Sequence, residues 1–171
     1  MDNTLLLQGI RRIYGEYLAE TERLTANSKR TDGLMGFGRG PGTDDCHDRF
    51  SARVEQAFEA ILAAAPSSQD VEEVLRFVYA APLTNRQNEL ACWMLVAVHS
   101  LTEKLIDLLT PEDAATLSAL YMESYSRSNR LPAQKKILEK LLTQAGDKAP
   151  KKKNILLDIF RRTRTGRSGS H

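Results

Sequence analysis

The chain has 171 residues, of which 42% are hydrophobic and 27% are charged. These values are typical of one globular domain and argue against a disordered or a membrane-embedded protein. The N-terminus turns amphipathic at once, so we expect neither a signal peptide nor a transmembrane helix, and we expect a cytoplasmic protein. Cys46 and Cys92 fall in separate predicted helices and are expected to be reduced thiols.

The net charge of +2 conceals an uneven distribution of charge along the chain. Residues 1–126 carry 11 Lys/Arg and 19 Asp/Glu, whereas residues 127–171 carry 13 Lys/Arg and 3 Asp/Glu. A strongly basic chain end is typical of a segment that binds an acidic partner. The acidic part of the same chain is the alternative partner for it.

A glycine-rich loop separates the first two predicted helices. Apolar residues at helical spacing predict a helix over about residues 3–26, in which Gly9 and Gly15 indicate close helix crossings. The segment 27–43 loses this periodicity and predicts a flexible loop. Its three apolar residues either fold back onto the core or form a protein-interaction surface: Leu34, Met35 and Phe37. A clean amphipathic pattern over residues 44–65 predicts the second helix.

Start signals define three of the later helices. A serine at position 67 or 68, followed by acidic residues, predicts a third helix, which Pro82 is expected to end. The sequence Thr-Pro-Glu-Asp at 110–113 combines a cap, a proline at the first helical position and acidic residues in the first turn. Pro132 then begins a helix whose apolar stripe lies opposite basic residues.

The segment 85–109 is the predicted centre of the fold. Residues 90–98 are apolar on every side of a helix, so other helices must cover them all round, and the run is too short to cross a bilayer. The sequence therefore predicts an all-α fold, a single-domain irregular bundle of six to seven helices around a central buried helix at about 85–109. We assign residues 1–146 to the helical bundle and residues 147–171 to a basic C-terminal extension.

Two stretches superficially resemble ligand sites. The glycine-rich loop lacks a preceding strand and the lysine of a phosphate-binding loop, and Asp44 and Asp45 would repel a phosphate. The cluster at 44–48 contains Asp, Cys and His, and Cys92 and His99 share a helix face, but none of these shows the paired spacing of a structural zinc site. We therefore expect buried thiols and hydrogen-bonded histidines, with no metal and no cofactor.

The chain offers little that resembles catalytic machinery. Cys46 and His47 are neighbours in sequence, but neighbours on a helix diverge by about 100 degrees. Neither a G-x-S-x-G nor an H-E-x-x-H motif is present. We predict a non-enzymatic protein with no catalytic residue and no small-molecule substrate.

The basic C-terminal part carries the strongest functional signal. Its candidate contact residues are Lys135, Lys136, Lys140, Lys151, Lys152, Lys153, Arg161, Arg162 and Arg164. A phosphate backbone attracts such cations through the release of counterions, and an anionic membrane surface, which we rank second, attracts them as well. Few aromatic residues accompany these cations, so base stacking on a single strand is poorly supported.

These observations predict a small accessory or regulatory binding protein. Its basic C-terminal part is expected to dock an acidic partner, with nucleic acid as the favoured class. The alternative is a helical protein–protein interaction module, an adaptor or an inhibitor, that uses the 34–37 loop and the acidic faces of its helices.

Overall fold

The computed structural model describes residues 3–31, 42–125 and 131–146, and it confirms the all-α bundle. No β-strand occurs within these residues. The α-helices are α1 (Asn3–Thr31), α2 (Thr43–Ala63), α3 (Ser68–Thr84), α4 (Glu89–Ala97), the one-turn α5 (Glu103–Ile106), α6 (Pro111–Tyr125) and α7 (Pro132–Ala145). A 3₁₀ turn at Val98–Thr102 joins α4 to α5.

The predicted helix starts agree with hydrogen bonds in the structure. Ser67 caps α3, because its hydroxyl accepts from the Asp70 amide at 3.2 Å while the Asp70 carboxylate accepts from the Ser67 amide at 3.0 Å. The Thr110 hydroxyl likewise accepts from the Asp113 amide at 3.2 Å at the start of α6. These reciprocal bonds satisfy amide groups that a helix end leaves unpaired. The sequence predicted Thr110 as the cap of α6, and of the two serines it offered for α3 the structure selects Ser67.

The helices enclose one continuous hydrophobic core. Helix α6 packs against α7, α1 packs against α2, and α3 lies between these pairs with contacts to α1, α4 and α6. Among the largest side chains in the core, each less than 2% exposed, are Tyr14, Tyr79, Tyr121, Leu95, Leu105 and Leu141. No helix in the described part of the chain is both long and apolar enough to cross a membrane.

The predicted central helix is not one uninterrupted helix. It begins at Glu89, where the Asn88 side chain accepts from the Ala91 amide at 3.2 Å. It changes to 3₁₀ geometry at Val98, and there the Ser100 hydroxyl donates to the Ala97 carbonyl at 2.9 Å. The Thr102 hydroxyl donates to the His99 carbonyl at 2.7 Å in the same turn. Such bonds compete with the α-helical ladder, so the prediction of a single helix at 85–109 was wrong in its continuity.

The centre of this segment is also covered less completely than the sequence predicts. Ala91, Leu95 and Val98 are at most 1% exposed, as expected of a central core helix. The side chain of Trp93 is 47% exposed, so the prediction of cover on every side was wrong at this residue. An indole is amphipathic, so partial exposure is less costly for it than for an aliphatic side chain.

Two further expectations about single residues are corrected. Helix α3 does not end at Pro82 but continues to Thr84, with Pro82 buried in its last turns. Gly9 and Gly15 do not mark close crossings, because a Cβ atom built at either position meets no atom within 4 Å.

Hydrogen bonds between helix ends determine where the C-terminal end of α7 lies in the bundle. The Gln144 side chain in the last turn of α7 donates to the Leu109 carbonyl at 2.6 Å. The next residue, Thr110, donates its amide to the Ser68 hydroxyl at 2.7 Å. Residue 146 therefore lies at the end of the bundle where α3 and α6 begin, and the C-terminal extension follows from there.

Candidate functional site

The basic face of α7 is the part of the predicted nucleic-acid site that the structure describes. Lys136 Nζ lies 2.8 Å from the Glu103 carboxylate, and Lys140 Nζ lies 3.0 Å from the Asp107 carboxylate. Lys135 is exposed and forms no ion pair with any residue that the structure describes. Two of the three predicted lysines are therefore neutralised by acids at α5, and Lys135 keeps an uncompensated charge.

The remaining predicted contact residues lie outside the described residues. They are Lys151, Lys152, Lys153, Arg161, Arg162 and Arg164 in the extension, and Leu34, Met35 and Phe37 in the glycine-rich segment. Their roles stay predictions.

Helix α2 has an outer face that is acidic along most of its length. Asp45, Asp48, Glu55 and Glu59 are all exposed, and these positions recur at helical spacing on one side of the helix. The two arginines of α2 point towards α1 instead, where Arg49 pairs with Glu20 and Arg53 with Glu16. The outer face of α2 is therefore one acidic surface of the bundle, formed by 4 of the 19 acidic residues in the first 126.

The cluster at 44–48 does not assemble a metal site within the described residues, where no group of three candidate ligands forms. Its two residues with the greatest affinity for zinc, Cys46 and His47, face the core. His47 Nδ1 lies 2.8 Å from the Tyr17 hydroxyl, and the Trp93 ring meets the His47 ring edge to face at 4.9 Å. Burial, followed by the charge of Glu20, raises the pKa of the Cys46 thiol. This thiol is therefore protonated at neutral pH and is a poor nucleophile.

His99 belongs to a second aromatic cluster in the middle of the bundle. Its Nδ1 lies 3.0 Å from the Tyr121 hydroxyl, and the rings of Tyr79, Tyr121 and Tyr125 surround the imidazole with centroid distances of 5.0–5.8 Å. The Tyr79 hydroxyl in turn lies 2.8 Å from the Thr102 hydroxyl. The contact joins α6 to the 3₁₀ turn, so no spacing within one helix could predict that Tyr121 and Tyr125 surround His99.

Burial determines what this cluster can do. Loss of solvation lowers the pKa of His99 to about 4, against a smaller opposing effect of the Val78 carbonyl, so the ring is neutral at physiological pH. That carbonyl is available because Pro82, four residues later, has no N–H to donate to it. His99 is 0% exposed, so no substrate reaches it. The cluster is a hydrogen-bonded part of the core.

A groove between α1 and α3 is the feature that sequence reasoning missed. It has a volume of about 340 Å³. Its lining residues are Arg11, Tyr14, Gly15, Leu18, Phe77, Ala80, Ala81, Thr84 and Asn85. The Arg11 guanidinium lies 5.7 Å from the centroid of the Phe77 ring. The glycine at position 15 was the one signal in the sequence, because it leaves room on this face of α1.

Comparisons of the chain with protein-family models, with curated proteins and with solved structures find no match. The functional argument therefore rests on the charges and the geometry of this chain alone. Three features carry it: the basic composition of the C-terminal part, the acidic face of α2 and the α1–α3 groove.

Proposed function

We propose that the chain is a small cytoplasmic binding protein, accessory or regulatory in role, whose basic C-terminal part docks nucleic acid. The observation that carries this proposal is the charge of residues 147–171, which hold 8 Lys/Arg against 2 acids. Cations at this density release counterions from a phosphate backbone, which supplies affinity without base readout. The free thiols Cys46 and Cys92 fit a reducing compartment.

The arrangement of charge in the bundle supports this assignment to the extension. The cations of α7 that face α5 are paired with acids, as are Arg49 and Arg53 of α2. A paired cation has less to gain from a phosphate, because it must first give up its carboxylate. Lys135, near the start of α7, is one cation left for a polyanion, and the extension, which follows the other end of this helix, adds eight more Lys/Arg.

The proposal contains no catalytic step. The neutral His99 ring is enclosed in the core, and the Cys46 thiol is buried with a raised pKa. Neither group presents a reactive atom at the surface, where a general base or a nucleophile has to meet a substrate.

The second candidate function is a helical protein–protein interaction module, an adaptor or an inhibitor. The exposed carboxylates of α2 favour it, since a basic protein surface complements them as the extension complements a phosphate backbone. The apolar residues of the 34–37 segment would be part of the same interface in this alternative.

A binding titration separates the two candidates. Fluorescence anisotropy of a labelled 20-base-pair duplex, as DNA and as RNA, measures the affinity of the full chain at 50 mM and 200 mM salt. About six phosphate contacts predict an affinity roughly a thousandfold weaker at the higher salt concentration. Vesicles with anionic lipid, tested in parallel, separate a membrane surface from a nucleic acid.

Matched lysine substitutions assign the binding to the extension. Replacing Lys151, Lys152 and Lys153 by Gln is expected to weaken duplex binding by at least tenfold at 50 mM salt. Replacing the paired Lys136 and Lys140 by Gln is the control and is expected to change affinity by less than about threefold. Equal losses in the two variants, or tight binding that survives both, would contradict the proposal.

A further inference from the structure

The α1–α3 groove has the dimensions and the lining of a small-ligand site. Its volume of about 340 Å³ lies at the lower end of the range for ligand pockets, which is roughly 300–1,000 Å³. Small residues, Gly15, Ala80 and Ala81, make room between the helices, and Leu18 and Phe77 supply apolar surface beside them. A cleft of this kind excludes water from the apolar part of a ligand.

One cation stands at this groove without a counter-charge. Arg11 lies against the face of Phe77 and forms no ion pair within residues 3–31, 42–125 and 131–146, and no acidic residue lines the groove. Its neighbour Arg12 is engaged with Glu16 on the outer side of α1. Arg11 is exposed beside the Phe77 ring, and a guanidinium in such a position binds a carboxylate through charge-assisted hydrogen bonds.

The other polar side chains at the groove leave Arg11 as its main polar group. The side chains of Thr84 and Asn85 donate to the Ala81 carbonyl at 3.2 Å and 2.9 Å, so their donors are already used. Tyr14 is 1% exposed, and its hydroxyl lies within the electrostatic reach of the core residues Tyr79 and Tyr125, so no ligand contact is assigned to it.

We propose that the α1–α3 groove binds a small organic carboxylate, with its apolar body between Gly15, Ala81 and Phe77 and its carboxylate on the Arg11 guanidinium. A neutral ligand would leave the Arg11 charge uncompensated. A polyanion would find one cation here and an apolar floor, which does not suit it. This site departs from the expectation that the protein takes no small molecule, and it does not depend on nucleic-acid binding.

The spacing of the lining residues limits the size of the ligand. Arg11 and Leu18 are seven residues apart on α1, which corresponds to about 10 Å along the helix axis. A single ring with a short chain that ends in a carboxylate spans this length. A long fatty acid does not fit within about 340 Å³ when it is extended along the groove.

The test uses 3-phenylpropionate as the probe and the uncharged 3-phenylpropionamide as its matched control. Two-dimensional ¹H–¹⁵N NMR of the full chain is expected to show saturable shifts of the Gly15 and Ala81 amides with the carboxylate, and at least about tenfold weaker binding of the amide. No saturable shift, or equal binding of both probes, overturns the proposal. Shifts that depend on protein concentration without a probe also overturn it, because they show that a second copy of the chain occupies the groove.

Two pairs of variants locate the site. Arg11→Gln is expected to lower the affinity for the carboxylate probe by about tenfold or more, whereas Arg12→Gln, at the next position, is expected to leave this affinity unchanged. A Cβ atom at position 15 meets no atom within 4 Å, so the side chain of Gly15→Leu is expected to enter the groove and to abolish binding. Gly9→Leu, at an equally unhindered glycine outside the groove, is expected to leave binding unchanged. Unchanged binding in Arg11→Gln and in Gly15→Leu overturns the assignment. Duplex affinity of Gly15→Leu should match that of the unmodified chain, so failure of one proposal is separable from failure of the other.

Discussion

The two sides of the bundle differ in whether their polar groups have hydrogen-bond or ion-pair partners. On the side where α3, α6 and α7 meet, His99 Nδ1 is hydrogen-bonded to Tyr121 and Lys136 and Lys140 have carboxylate partners, although no hydrogen bond to His99 Nε2 forms among the described residues. On the side where α1 meets α3, the Tyr14 hydroxyl and the Arg11 guanidinium have no such partners among the described residues. We call these the closed side and the open side.

This difference suggests which side stabilises the fold and which side can bind a ligand. A polar group that is paired within the protein contributes to stability and has little to offer a ligand, whereas an unpaired one costs stability until a ligand meets it. The closed side therefore holds the fold and leaves only its free cations for a partner. The open side has room and an uncompensated charge, which are the requirements of a small-ligand site.

Acidification is expected to cause the largest change in the free energy of unfolding, and it acts through His99 on the closed side. The pKa of His99 is about 4 in the folded protein and about 6.5 in an unfolded chain, so only the unfolded state takes up the proton between these values. The contribution of His99 to stability is complete above pH 6.5 and is lost as the pH falls to 4, in total about 3 kcal/mol. Urea unfolding at pH 7 and pH 5 should show about 2 kcal/mol of this loss, and His99→Gln should show a shallower pH dependence. Equal pH dependence in the two proteins would refute this.

Two tyrosine substitutions compare the sides directly. Tyr121→Phe removes the partner of a buried histidine and is expected to lower the free energy of unfolding by about 1–3 kcal/mol. Tyr14→Phe removes a hydroxyl without a partner and is expected to leave stability unchanged or slightly higher. Chemical denaturation of both variants checks this, and a larger loss in Tyr14→Phe would reverse the distinction between the sides.

Glycine substitutions on α1 test whether the open side is truly unfilled. Gly9→Ala and Gly15→Ala each raise the free energy of unfolding by roughly 0.5–1 kcal/mol, because alanine costs less conformational entropy in a helix and meets no atom. Gly42→Ala is the control with the opposite sign, since φ there is +88° and disfavours a side chain. Thermal unfolding measures all three. A destabilised Gly15→Ala would show that another group already fills the groove.

The smallest expected effect is a change in duplex affinity that distinguishes Lys135 from Lys140 on α7. Lys135→Gln should weaken duplex binding by roughly twofold to fivefold, as the loss of one phosphate contact does. Lys140→Gln should leave the affinity unchanged and lower stability by at most about 1 kcal/mol, because its pair with Asp107 is partly exposed. Anisotropy at 50 mM salt measures the affinities. A greater loss of affinity in Lys140→Gln would mean that the pair with Asp107 opens on binding.

The sequence predicted those features of the fold that depend on local signals. The capping residues Ser67 and Thr110 act on amides three residues away, so their positions marked the starts of α3 and α6. The 3₁₀ turn was not predictable in this way, because Thr102 is also held by Tyr79, 23 residues earlier in the chain. The apolar run around Trp93 gave its helix but could not show which side chain would remain exposed.

The candidate sites also differ in whether local sequence could predict them. The charge of the extension is a property of composition and was visible in the sequence, whereas the carboxylate partners of Lys136 and Lys140 come from another helix. The groove joins Arg11 to Phe77 across two helices, and no spacing within one helix indicates such a contact.

The central claim is that cations of the C-terminal part bind a phosphate backbone. The salt dependence of duplex binding by the full chain tests this claim most directly. A plot of the logarithm of affinity against the logarithm of salt concentration has a slope of about −0.9 for each phosphate neutralised. Six contacts predict a slope near −5, which should become shallower by at least about 2 when Lys151, Lys152, Lys153, Arg161, Arg162 and Arg164 are replaced by Gln, because Lys135, Lys148 and Arg167 remain. A slope shallower than about −1 in the unmodified chain, or an unchanged slope after these replacements, would contradict the account.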